Sequence, residues 1–395
     1  MMLFKVVSGS GKFLLGLSPV LVPAILAASD RSDWQERMQP IIPRTYLCRR
    51  AVSPIVIDGN LDDPAWSHAR WTDDFVDIEG RAKPKPRLRT RAKLLWDDDY
   101  LYIAAELSEP HVWATLTNHD AVIFRDPDFE VFIDPQGKTQ PYYEFEMNAL
   151  NTTWDLLFDK PYMDSGKPHN EWEIPGLKSA VHINGTLNDP DDKDRGWTVE
   201  LAFPWKVLSE HARHGGPPGE GEQSRIDFSR VEWQVDVTNG VYHKIPGKPQ
   251  DNWVWSPSGV VDMHRPEMWS LVQFTTRPGT ESISVAPIAG RTSRDLVLGV
   301  YYAERDFWKE HRRWATNLTE LGETGWSLGK LSSRACFLWK GCPSQNGSSG
   351  RKTTISCIHG STGSSALPTR PAPTRSMRLT WKGRPSQSKR PIRAS

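Results

Sequence analysis

Six carboxylates, Asp126, Asp128, Glu130, Asp134, Glu144 and Glu146, fall within 21 residues of this chain, on a stretch that otherwise reads as a hairpin. Phe129, Val131 and Ile133 alternate with Glu130 and Phe132. After a turn at Pro135, Gln136, Gly137 and Lys138, Tyr143, Phe145 and Met147 alternate with Glu144 and Glu146. A repeat of two sends alternate side chains to opposite faces of a strand. Acids are poor strand formers, so this many behind an apolar face suggest a polar ligand or cation site as much as a wetted surface. Tryptophan is the second chemical signal: 18 in all, 13 of them between Trp34 and Trp269. Most must fill a core, but a few exposed indoles beside carboxylates and amides would form the flat, polar-edged platforms on which sugars stack.

The elements that would hold these residues are short strands. A strand and turn open at Pro54 to Trp66, and a hairpin follows at 92–96 and 100–107. Further strands are predicted at 153–158, 178–183, 196–203, 230–237, 253–255 and 271–274. Some ten strands separated by turn residues predict an all-β protein, an antiparallel, jelly-roll-like β-sandwich over residues 45–280. From Ser293 the period changes. Leu296, Val300, Ala303, Phe307, His311 and Trp314 lie on one face of an amphipathic helix expected over 293–323, with His311 a boundary residue on that face.

Composition bounds the rest. All 48 acidic residues lie at or before Glu323, whereas 13 of the 49 basic residues lie beyond it, so the body is acidic and offers no basic stripe for nucleic acid. The Ser-, Arg- and Pro-rich segment 325–395 is expected to be a disordered basic tail or the product of a shifted reading frame from near Gly325. Its Cys336, Cys342, Cys357 and His359 fit no standard zinc spacing. Cys48 is alone in the body, so disulfides cannot staple the domain. Residues 1–29, with Lys5 and Lys12 before an apolar run and Ala27, Ala28 and Ser29 after it, read as a signal peptide. They imply a secreted or periplasmic protein with no membrane span after their removal. The SGSGK at 8–12 lacks the first Gly and the Ser/Thr of a phosphate loop.

The segments IVIDGNLDDPAW, KLLWDDDYLYIAAEL, DFEVFIDP, YYEFEMNALNTTWD, GWTVELAFPW and WSPSGVVDMHRPEMWSLVQF stand in the order seen in family 9 carbohydrate-binding modules, which residues 52–275 resemble. The resemblance implies a β-sandwich on which two aromatic side chains clasp a sugar, with acids and calcium ions supporting the loops. It assigns sugar contact to Glu130 and to Asn148 on the following strand, and places Phe124 where the first clasping Trp is expected. Met263 stands near the second, for which Trp255 or Trp269 would substitute in space, and Glu146 stands where such modules can carry Arg. Asp126, Asp128 and Asp134 are the expected calcium ligands. Such modules are attached to glycoside hydrolases, but no span here is long enough for a catalytic domain, so the expectation is non-catalytic binding of a mono- or oligosaccharide or a polysaccharide end. Two other readings are a haem-binding electron carrier ligated through Met263 and His264, on a related sandwich, and a scaffold domain that has lost its ligand.

Overall fold

The computed structural model describes residues 37–277, 282–287 and 291–323, together with two five-residue strands further on; the signal-peptide segment lies outside the described residues. In chain order the strands are β1 (Thr45–Arg50), β2 (Val76–Asp77), β3 (Thr90–Trp96), β4 (Tyr100–Ser108), β5 (Asp128–Asp134), β6 (Tyr142–Asn148), β7 (Thr153–Phe158), β8 (Pro168–His169), β9 (Lys178–Asn184), β10 (Gly196–Pro204), β11 (Gln223–Glu232), β12 (Val235–Thr238), β13 (Val241–Lys244), β14 (Asp251–Val254) and β15 (Leu271–Thr275). Thirteen of them hydrogen-bond into one curled sheet in the order β8-β7-β6-β5-β11-β15-β1-β3-β4-β10-β9, with β14 and β2 branching from β11. The sheet folds over on itself as a β-sandwich: Phe129, Val131, Ile133 and Phe145 from one half meet Leu94, Ile103, Val199 and Leu201 from the other in one core. Phe145 and Phe203 meet edge to face across it at 5.4 Å.

The pairing is antiparallel except at the bend. There β1 runs parallel to both β15 and β3, where the sequence predicted antiparallel strands throughout. The N-terminal strand is joined to β3 by a long connection, and a parallel neighbour needs such a crossover where an antiparallel one needs only a tight turn.

The IVIDGNLDDPAW segment is tied to the sheet by one buried acid. Glu200 on β10 accepts hydrogen bonds from the Asp58 and Gly59 amides at 3.0 and 2.9 Å and from Trp66 Nε1 at 2.7 Å. Gly59 holds φ +88°, and a Cβ there would lie 2.6 Å from the His182 amide nitrogen, so only glycine fits the turn.

After the four-residue α1 (Trp205–Leu208), helix α2 (Arg291–His311) stops twelve residues short of the expected end. Arg312 takes φ +55°, turning the chain back so that the short α3 (Leu318–Glu323) lies against α2 through Ala315, Leu318 and Leu321 on Val300, Ala303 and Phe307. The predicted apolar face is therefore largely correct, but a second helix of the same chain covers it. His311 stacks on Phe307 at 4.0 Å and hydrogen-bonds that residue's carbonyl, a structural role. Beyond Glu323 the described residues are Ala335–Trp339 and Ile355–His359, paired antiparallel where the sequence led to no ordered element. No helix among the described residues is long and apolar enough to cross a membrane.

Candidate functional site

The acidic hairpin forms as the alternation predicts, β5 pairing with β6 so that Asp128 faces Asn148, Glu130 faces Glu146 and Phe132 faces Glu144. The odd-numbered residues of both strands enter the main core. The even-numbered ones share the sheet's other face, which is also covered, so every residue of both strands is buried. The cover is aromatic: Phe132, Tyr142, Leu156, Phe158 and Trp269 form a second apolar cluster, with Trp154 and Met263 packed at its margin.

Asp128, Glu130, Glu144 and Glu146 thus crowd into one largely dry strip. One carboxylate oxygen from each of Asp128, Glu130 and Glu146 lies within 4.8 Å of the others, one of two groups with metal-ligand spacing among the described residues. Burial, then mutual repulsion, drives Asp128, Glu144 and Glu146 well above the usual carboxylate range. Burial likewise lifts Glu130 to about 7, with Ser229 and Asp128 hydrogen bonds offsetting part of the rise. At neutral pH the strip therefore retains protons, and a protonated carboxyl donates as well as accepts hydrogen bonds. Two polar atoms of this face have no partner: Asp128 Oδ2 and the indole Nε1 of Trp154, which stands opposite Glu146 on β7.

The sequence-derived residues divide. Phe124 and Glu130 are brought together: the Phe124 amide donates to Glu146 at 3.0 Å, beside Glu130, and the ring stays half-buried at the rim. Trp233 Nε1 fixes the Phe124 carbonyl at 3.0 Å. Asn148 is on the same face but fully buried, and its side chain organises a turn. Its Nδ2 donates to the Leu116 carbonyl and Asp126, and its Oδ1 accepts the Leu150 and Thr152 amides, so no polar atom is left for sugar.

Neither Trp255 nor Trp269 is a platform. Trp255 stacks on Phe228 at 5.7 Å inside the main core, and Trp269 is wedged against Tyr142 and Phe132 with its Nε1 donated to the Met263 carbonyl. Both are 1% exposed, because the largest apolar side chains fill the largest gaps. Trp154 is the ring that the sequence reading passed over. The signal was its place in TTWD: the tight turn after Asn148 sets it opposite Glu146.

The expected calcium set is not assembled. Asp134 sits at the far end of β5, accepting the Gln136 and Thr139 amides of the hairpin turn. Asp126 fills both oxygens with the Thr115 amide and hydroxyl, the Leu116 amide and Asn148. Only Asp128 has an oxygen to offer. The Met263 and His264 pair does not form a haem ligand set either. His264 Nδ1 meets the Tyr142 hydroxyl at 2.9 Å, and its ring is walled by Phe132, Phe158 and Tyr162. Burial lowers His264 to about 4, so its Nε2, 3.9 Å from the neutral Glu144, makes no ion pair.

The family model described as carbohydrate family 9 binding domain-like matches residues 57–219. Exoglucanase XynX of Acetivibrio thermocellus is 25% identical over 154 residues, 39% of this chain and 12% of that enzyme. Endo-1,4-beta-xylanase C of Paenibacillus barcinonensis is 28% identical over 148 residues, 38% of this chain and 11% of that enzyme. The chain thus spans about an eighth or less of the length of these relatives. Among solved structures, a family 9 carbohydrate-binding module from Caldicellulosiruptor kristjanssonii in complex with cellotriose matches at 14% identity and TM-score 0.39, over 62% of this chain and all of that one. A carbohydrate-binding protein from Bacteroides uniformis matches at 15% identity and TM-score 0.43, over 59% of this chain and all of that one. Over residues 57–219 the chain is thus similar to the carbohydrate family 9 binding domain-like family.

Proposed function

We propose that this domain binds a carbohydrate, without catalysis, at the margin of the acidic strip where Glu130 and Glu146 meet Phe124 and Trp154. The family match over residues 57–219 supports the class of ligand. The observation that carries the site is the pairing of two half-buried rings at the margin with buried carboxyl groups that keep protons, beside a buried indole N–H that has no acceptor. Hydroxyl groups of a sugar need donors and acceptors together, and an aromatic face takes the apolar side of the ring. Glycoside hydrolysis needs two carboxyl groups facing across a cleft. Glu130 and Glu146 instead lie side by side on one sheet face. The relatives are named as an exoglucanase and xylanases, so cello- and xylo-oligosaccharides are the first ligands to try, and export is part of the same reading.

Calorimetric titration of the full chain with these oligosaccharides tests it. Binding is expected to weaken tenfold or more in Trp154→Ala and in Glu130→Gln, about 1.4 kcal/mol per decade. Trp269→Phe leaves a ring in the core and is expected to bind as the parent does. No heat with any plant or microbial glycan would favour the scaffold reading.

A further inference from the structure

Away from the acidic strip, one imidazole faces three carboxylates. His119 Nδ1 lies 3.0 Å from the Thr153 carbonyl oxygen and 3.1 Å from its hydroxyl. A carbonyl only accepts, so Nδ1 carries a hydrogen, and Nε2 is the nitrogen turned toward the carboxylates. Around Nε2 stand Glu173 Oε2 at 3.2 Å, Asp120 Oδ1 at 3.4 Å and Asp155 Oδ1 at 3.5 Å. An imidazole nitrogen facing three carboxylate oxygens calls for positive charge among them, either a second proton on the ring or a bound cation. A proton on Nε2 can satisfy one oxygen well, whereas a metal ion would be shared by Nε2 and the Asp120 and Glu173 oxygens, which all lie within 4.8 Å of one another. A tetrahedral zinc with bonds of about 2.0–2.2 Å holds its ligand atoms about 3.3–3.6 Å apart, close to the 3.2 and 3.4 Å from Nε2 to Glu173 and Asp120.

The supporting geometry is that of a metal site as well. The Thr153 carbonyl that orients the imidazole also accepts the Asp120 amide, which fixes the His119–Asp120 turn against β7. Asp120 is held at φ +62°, a conformation that short polar side chains tolerate. The Asp155 carboxylate is 4% exposed, and its other oxygen accepts the Ile174 amide at 2.7 Å, so it cannot swing away. A hydrogen bond of this kind on the far side of the ring is what orients a metal-binding histidine. Glu173 is 57% exposed and free to close the set, since the His119, Asp120 and Glu173 ligand atoms already lie within 4.8 Å of one another.

The geometry points to a divalent transition-metal site, with zinc as the ion of choice, at His119, Asp120 and Glu173, with the Asp155 carboxylate beside the imidazole. It joins three segments: the loop that runs on to Phe124, strand β7, and the turn before Ile174. The inference stands apart from the carbohydrate reading and would survive its failure.

The test uses the full chain, stripped with a chelator, dialysed and titrated with zinc by calorimetry, with cobalt absorption as a spectroscopic readout. One equivalent of zinc is expected, with micromolar or tighter affinity, a raised melting temperature, and the visible bands of four-coordinate cobalt. His119→Ala is expected to weaken the binding at least a hundredfold. The exposed Glu173→Gln serves as the variant least able to disturb folding, with at least a tenfold loss. No zinc binding by the parent chain would overturn the proposal. So would an equivalent retained unchanged in His119→Ala and Glu173→Gln, which would place the ion elsewhere.

Discussion

Four acids on one sheet face would be hard to tolerate if all were ionised, since an unpaired buried charge is costly. Burial, reinforced by mutual repulsion among Asp128, Glu144 and Glu146, favours the protonated forms instead. The folded chain therefore holds protons that the unfolded chain releases. For Glu130, raised to about 7, the stabilising contribution is complete below the ordinary carboxylate pKa and is lost as pH rises through about 7. The shift is worth on the order of 3 kcal/mol. Lys244 and Glu232 face Asp128, and His264 faces Glu144, but His264 is already neutral above pH 5 and adds nothing across that window. The melting temperature should therefore fall from pH 5 to pH 8 more steeply in the parent than in Glu130→Gln, which cannot ionise. Parallel curves for the two proteins would mean that Glu130 is ionised in the fold.

At the same scale, the sequence located the acids and the Phe124 rim, because alternation fixes which side chains share a face. It could not tell that the Asn148 amide would be consumed by a turn, nor which of 13 tryptophans would be sealed in. Those outcomes depend on contacts between segments far apart in the chain.

Among the elements, the hairpins were legible and the connections were not. Period-two patterning and turn residues reveal β3 with β4 and β5 with β6, but nothing local shows that β1 runs parallel between β15 and β3. The end of α2 was missed for a similar reason, since Arg312 turns the chain without the Gly or Pro that usually marks a stop. The link between the first turn and β10 gives a test of how local geometry is held. Glu200 serves three donors from one carboxylate, so Glu200→Ala leaves two amides and an indole N–H without their acceptor. A loss of about 3 kcal/mol is expected in urea unfolding. Glu200→Gln keeps one acceptor oxygen and should lose about half as much. Gly59→Ala should lose at least 2 kcal/mol, from the positive φ and the clash with the His182 amide. Equal stability of Glu200→Ala and the parent would show that the turn holds without its anchor.

Over the whole molecule, the composition break after Glu323 is the plainest signal in the sequence, and the acid-free segment lies outside the described residues apart from its two short strands. What the sequence did not show is where α2 docks. It seats on the loops that cover the acidic face: Tyr301 donates to Asp164 at 2.6 Å, Arg305 reaches the same carboxylate at 2.9 Å, and Tyr302 bonds Glu267 and Arg265. Tyr302 also packs with Met38, Val260 and Met268. Asp164 is thus a single residue on which two donors from the helix converge, two residues from the Tyr162 ring beside His264. Charge-assisted hydrogen bonds in a half-buried setting are each worth roughly 1–3 kcal/mol, so Asp164→Ala should loosen the helix without unfolding the sheet. Hydrogen exchange checks this residue by residue. Amides of 291–311 should exchange tenfold or more faster in the variant, while those of β5, β6 and β11 keep their protection, because local opening of a docked element need not involve the core. If the sheet amides accelerate equally, helix and sandwich open as one cooperative unit, and the loops over the acidic face owe their order to the fold as a whole.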